Sequence, residues 1–177
     1  MSLIAGLDLS KNYSFFTVPA AFLLCMLPGA FAVAIAGKSF DPANPRQTRA
    51  TVLADEKLDK ILVTLPIRLE EFDVDSSSFT QQQQRFIRAQ GAQENGFETV
   101  GLYASGVLAA NYAGVSVRML NLLTIGYLVS RVAYIFAYVV LCQNRKLAPV
   151  RSICWAAGSA ILVSLWVMAG QNVNLKL

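Results

Sequence analysis

The chain has 177 residues, of which 55% are hydrophobic and 15% charged, with a formal net charge of +4. Water-soluble domains carry roughly a quarter charged residues, so this balance points first to a membrane protein. It contains no histidine, which excludes histidine metal sites and Ser-His or Cys-His catalysis and leaves acid-base or electrophilic work to Arg, Tyr, Glu, Asp, Lys or Cys.

A bilayer core about 30 Å thick takes about 20 mostly apolar residues to cross as a helix. Four windows are long enough: 15–37, 86–112, 117–142 and 150–171. The first follows a polar start, SKNYS, without a basic leader or small-residue cleavage site, and reads as a retained span rather than a removed signal peptide. The 38–85 connection is long and polar. Within it Leu58, Ile61, Leu62 and Leu65 fall at helical intervals, fitting either a short helix on the membrane surface or a polar loop folded over the mouth of the bundle. SSSFTQQQQ at 76–84 reads as a solvated approach to the second span.

Basic residues set the orientation. Lys38, Arg46, Arg49, Lys57, Lys60, Arg68, Arg85 and Arg88 lie between or beside the first two spans, and Arg145, Lys146 and Arg151 lie by the third connection. The opposite side has only Lys11, Arg118 and Lys176. Both termini are therefore expected in the lumen or exterior and the 38–85 loop in the cytosol. Acidic residues nearly balance the basic ones in that loop, so no nucleic-acid patch is read. Cys25, Cys142 and Cys154 fall in or at the ends of spans, odd in number and without metal spacing, and read as buried thiols with no metal site. Short second and third connections make consecutive spans antiparallel neighbours. The predicted fold is an all-α, integral-membrane four-helix bundle formed by one domain, 1–177.

Two spans carry polar stripes. At about 100° per residue, Arg88, Gly91, Asn95 and Glu98 share one helix face, and Gln93 and Glu94 point elsewhere. In the third span Tyr127, Arg131, Tyr134 and Tyr138 occupy a second stripe. A charge at the centre of a membrane helix costs about 2.5–3.5 kcal/mol on insertion scales, so it faces the bundle interior and seeks a partner. Glu98 is the expected partner of Arg131. One ion pair would fix helix register alone; the company of Asn95, Tyr134, Tyr138 and Arg151 points to a pocket in the cytosolic half. Trp155 and Trp166 read as packing or interfacial anchors, and Gly101, Gly106, Gly114 and Gly158 as sites of close helix approach.

These residues carry a resemblance. RAQGAQENGFE at 88–98, R-x-x-Y-x-x-x-Y at Arg131, Tyr134 and Tyr138, and LAPVRS at 147–152 resemble the membrane-associated proteins in eicosanoid and glutathione metabolism, the MAPEG family, with a fainter echo in KSFDPANP. The resemblance implies a homotrimer in an internal membrane such as the endoplasmic reticulum, with glutathione bound between neighbouring subunits. It assigns catalysis to Arg151 and Tyr138, and glutathione binding to Arg88, Gln93, Asn95, Glu98, Arg131, Tyr134, Tyr138 and Lys146. Lys146 is the second choice for the cation at the thiol. Three positions depart from the family pattern: Gly91 and Ala34 stand where relatives carry Arg, and Thr99 where many carry Tyr. The function implied is a glutathione-dependent transferase or peroxidase acting on a lipophilic electrophile. A glutathione-independent isomerase or cyclase in the same pocket and a non-enzymatic lipid-presenting scaffold are the alternatives.

Overall fold

The computed structural model describes residues 10–54 and 81–175. The Leu58–Leu65 pattern lies outside the described residues, as does the start of the Ser/Gln tract; Gln81 to Gln84 open a helix. The elements in order are α1 (Ser14–Ala36), a short α2 (Thr48–Ala54), α3 (Gln81–Tyr112), α4 (Val117–Val139) and α5 (Ala148–Asn174), with 3₁₀ turns at 37–39, 141–143 and 145–147. All regular structure among the described residues is helical.

Three of the four long helices, α1, α4 and α5, are long and apolar enough to cross a membrane. The fourth predicted span is different. α3 has 32 residues, about 48 Å at 1.5 Å per residue, but Arg85, Arg88, Glu94 and Glu98 fill its first half and only 99–112 is free of charge. By composition α3 is half a span.

α1 packs chiefly on α3, α4 chiefly on α5, and α3 joins the two pairs. α1 makes its contact with small residues: Ala21, Cys25, Pro28, Gly29, Ala32 and Ala36 are buried, while Phe16, Leu23 and Leu27 stay exposed on the opposite face. Polar residues lock its entry. Asn12 donates to Asn111 (2.6 Å), Asn111 donates to the Ser14 hydroxyl (2.9 Å), and Asn121 donates to the Lys11 carbonyl (2.8 Å). α3 then ends in a Schellman turn. Gly114 takes φ 75°, the Gly114 N–H donates to Asn111 and the Val115 N–H to Ala110, which satisfies carbonyls that a helix end otherwise leaves open.

Two apolar clusters lie along the bundle. One gathers Tyr103, Val107, Leu120, Tyr127 and Leu165, where Tyr103 and Tyr127 stack at 3.9 Å and the Tyr103 and Thr17 hydroxyls meet at 2.6 Å. The other gathers Ala32, Phe86, Ala89, Tyr134 and Val139 and extends to Val52 of α2, which Gln83 ties to α3 by donating to the Val52 carbonyl (3.0 Å).

Two of the predicted glycines approach neighbouring helices of the same protomer. A Cβ added at Gly106 would meet the Trp166 ring at 3.0 Å, and one at Gly158 would meet Arg131 Nη2 at 2.3 Å. Gly101 faces open space, and Gly114 serves the turn. Trp166 lies exposed on α5, its indole N–H donating to the Leu102 carbonyl (3.2 Å).

Candidate functional site

A cavity of about 410 Å³ opens where α3, α4 and α5 meet, within the roughly 300–1,000 Å³ typical of small-molecule sites. α3 contributes Gly91, Glu94, Asn95 and Glu98; α4 contributes Tyr134 and Tyr138; α5 contributes Arg151, Ser152 and Trp155. The helical intervals of the two stripes place these groups. Residues three and four apart stack on one face, so Gly91, Asn95 and Glu98 come to the cavity together, as do Tyr134 and Tyr138. Arg151 and Ser152 enter from the first turn of α5, which begins at Ala148 with Pro149 inside it, a position where the missing N–H of proline has no cost.

The guanidinium of Arg151 lies 4.8 Å from the centroid of the Tyr138 ring. Among the described residues Arg151 makes no hydrogen bond and no ion pair, so its donors remain free toward the cavity. Tyr138 is itself tilted against Tyr134, with ring centroids 5.7 Å apart, and its hydroxyl lies close to the α3 backbone at Gly91.

Arg131 is placed differently from the expectation. It is 4% exposed and does not line the cavity, lying behind Asn95. No ion pair joins it to Glu98. Its Nη1 makes a long contact with Asn95 Oδ1 (3.5 Å) and its Nη2 donates to the Trp155 carbonyl (3.4 Å). The Tyr127 and Tyr134 rings lie 5.3 and 5.1 Å from the guanidinium. The reason is Gly158: its missing side chain leaves a slot on α5 that the guanidinium fills, turning it away from Glu98 and toward a carbonyl and two π faces, which also hold a cation. Arg131 Nε remains buried without a partner.

The other predicted site residues divide. Asn95, Glu98, Tyr134, Tyr138 and Arg151 come together at the cavity. Gln93 does not; it lies against α1, where a Cβ at Gly29 would meet its amide at 2.3 Å. Arg88 is half-buried one turn before Gly91, outside the lining, with Nε lacking a partner. Lys146 is exposed in the 3₁₀ turn, its backbone N–H held by Asn144 Oδ1 (3.0 Å). Cys25 is buried as predicted, whereas Cys142 and Cys154 are half-buried.

Sequence reasoning missed three lining residues. Trp155, read as an anchor, and Glu94, read as pointing elsewhere, both line the cavity, and so does Ser152. Ser152 and Trp155 had a usable signal, since they follow Arg151 by one and four positions on the same helix. Glu94 had one too, since it stands three residues after Gly91 and four before Glu98 and so shares their face.

The lining thus offers two carboxylates, one uncovered guanidinium, an amide, three hydroxyls and an indole, with a second guanidinium behind the amide. Of the groups of glutathione, two carboxylates, an ammonium and a thiol, this set offers Glu94 and Glu98 to the ammonium, the single cation Arg151 to one anionic group, and Asn95, Ser152 and the tyrosines to the peptide groups.

No curated protein and no solved structure matches the chain at significance. The sequence profile of the MAPEG family matches residues 15–171, from the first turn of α1 to the last turns of α5, and takes in every residue of the cavity. The chain is therefore a membrane protein belonging to the MAPEG family.

Proposed function

We propose that this protein is a membrane-bound, glutathione-dependent transferase or peroxidase acting on a lipophilic electrophile, and that α3 completes a four-span bundle working as a homotrimer in an internal membrane. The observation that carries the reading is the guanidinium of Arg151, which rests on the Tyr138 ring at the cavity and has no hydrogen bond or ion pair among the described residues. Membership of the MAPEG family, which includes glutathione transferases, supports it.

Bound glutathione would supply a thiol nucleophile, which at an ordinary pKa of about 8.5 is mostly protonated at neutral pH. Arg151 is permanently charged and brings a positive potential to that group, favouring its ionised form. Tyr138 places Arg151 from below and holds a phenolic O–H within the same cavity, able to donate to an oxygen that gains charge on the electrophile. Asn95 and Ser152 offer hydrogen bonds to the peptide groups, Glu94 and Glu98 attract the ammonium, and Arg131 polarises Asn95 from behind. The exposed apolar faces of the helices give a lipid-soluble substrate its approach.

The test is purified protein in detergent with glutathione and a chloronitrobenzene. Expected are conjugate formation and a thiolate absorbance band, with Arg151→Ala losing about 100-fold or more in turnover, the scale for removing one preorganised electrostatic group. A second reading, a glutathione-independent isomerase or cyclase, is favoured by Gly91 standing where relatives carry a cation. Absence of the thiolate band at saturating glutathione in a folded protein would select it. Ligand binding that survives Arg151→Ala with no turnover in either form would select the lipid-presenting scaffold.

A further inference from the structure

The place left by the missing side chain of Gly91 is not empty. A Cβ built there would lie 2.8 Å from Tyr138 Oη and 3.4 Å from Tyr138 Cε1 and Cζ. The phenol therefore sits where a side chain would stand, with its hydroxyl close to the α3 backbone. On the same ring rests Arg151, 4.8 Å from its centroid, with no hydrogen bond or ion pair among the described residues to hold it elsewhere.

We propose that Gly91 is a positioning residue that seats Tyr138 and, through the Tyr138 ring, fixes the Arg151 guanidinium at the cavity. The proposal rests on the reading of the site given above. A side chain at residue 91 acts on three groups in series. The first conflict is with the tip of a side chain and not with backbone, so an added methyl moves the Tyr138 ring rather than unfolding the bundle. Moving the ring withdraws the π face beneath Arg151. Removing the phenol oxygen relieves the conflict, because the remaining ring carbons at 3.4 Å are at the edge of ordinary contact. The two substitutions are thus coupled with a predictable sign: the second rescues the first.

The experiment compares unmodified protein, Gly91→Ala, Tyr138→Phe and the double variant in detergent. Gly101→Ala serves as control, since Gly101 has nothing within 4 Å. The readout is the rate at which phenylglyoxal modifies Arg151, followed by mass spectrometry of the Arg151 peptide, which needs no glutathione. Gly91→Ala is expected to raise that rate by about threefold to tenfold, the scale of one lost cation–π contact. Tyr138→Phe keeps the ring and the unmodified rate, and the double variant returns to it. Turnover in the double variant should equal that of Tyr138→Phe alone.

An unchanged or lower rate in folded Gly91→Ala overturns the proposal, as does a double variant that still shows the raised rate or fails to fold. A Gly91→Ala protein that misfolds while the double variant folds reports the same steric conflict and supports it. Failure of the transferase reading is separately visible: unmodified protein then shows no thiolate band while the labelling result stands.

Discussion

At Arg131 a permanently charged side chain is buried with no carboxylate in ion-pair reach among the described residues, held by two tyrosine faces, the Asn95 amide and the Trp155 carbonyl. Its place depends on Gly158. An alanine there would put a methyl 2.3 Å from Arg131 Nη2 and 2.8 Å from Ser130 Oγ, so Gly158→Ala should lower stability by about 1–3 kcal/mol, the usual cost of overpacking. Equal denaturation midpoints in detergent would contradict the slot. Glu98 supplies the complementary test. It lines the cavity without an ion pair among the described residues, so Glu98→Gln should change stability by less than about 0.5 kcal/mol while weakening glutathione binding; a loss of several kcal/mol would restore the buried ion pair that Gly158 argues against.

Between elements, the α1 entry and the α3–α4 turn are tied by side-chain amides as well as by apolar packing. Asn111 accepts from Asn12 and donates to Ser14 and to the Val107 carbonyl. Asn111→Ala removes these partners together and should cost about 1–3 kcal/mol, the penalty for leaving buried polar groups unsatisfied. Trypsin should then cut faster after Lys11, whose carbonyl is held in the same cluster by Asn121; unchanged cleavage would show that the clasp does not control the entry of α1. The Tyr138 and Arg151 pairing is likewise a contact between elements, α4 to α5, with its seat on α3.

For the molecule as a whole the deciding feature is α3, whose first half carries the site and whose second half carries the apolar packing. If α3 crosses the membrane, Gln81 and Ser116 lie on opposite sides. In a variant with Cys25, Cys142 and Cys154 replaced by alanine and reconstituted in vesicles, Gln81→Cys and Ser116→Cys should react with a membrane-impermeant maleimide from opposite faces. Labelling of both from one face would leave three crossings. A crossing helix tolerates Asn95 because Arg131 answers it within the bundle, while Glu94 and Glu98 line the cavity.

Much of this was legible in the residues themselves. Lengths and apolar windows give α1, α4 and α5, because burial in lipid demands unbroken hydrophobic runs, and the 3–4 spacing of Asn95 and Glu98 and of Tyr134 and Tyr138 gives the faces that meet, because helical periodicity is a local property. What local rules cannot carry is who touches whom. Arg131 turned from Glu98 to α5, and Gln93 went to α1. Each outcome depends on space left by a glycine on another helix or on the angle between helices. Charge and period are written along the chain; the vacancies at Gly158, Gly29 and Gly91 acquire meaning only when a second helix is laid against them.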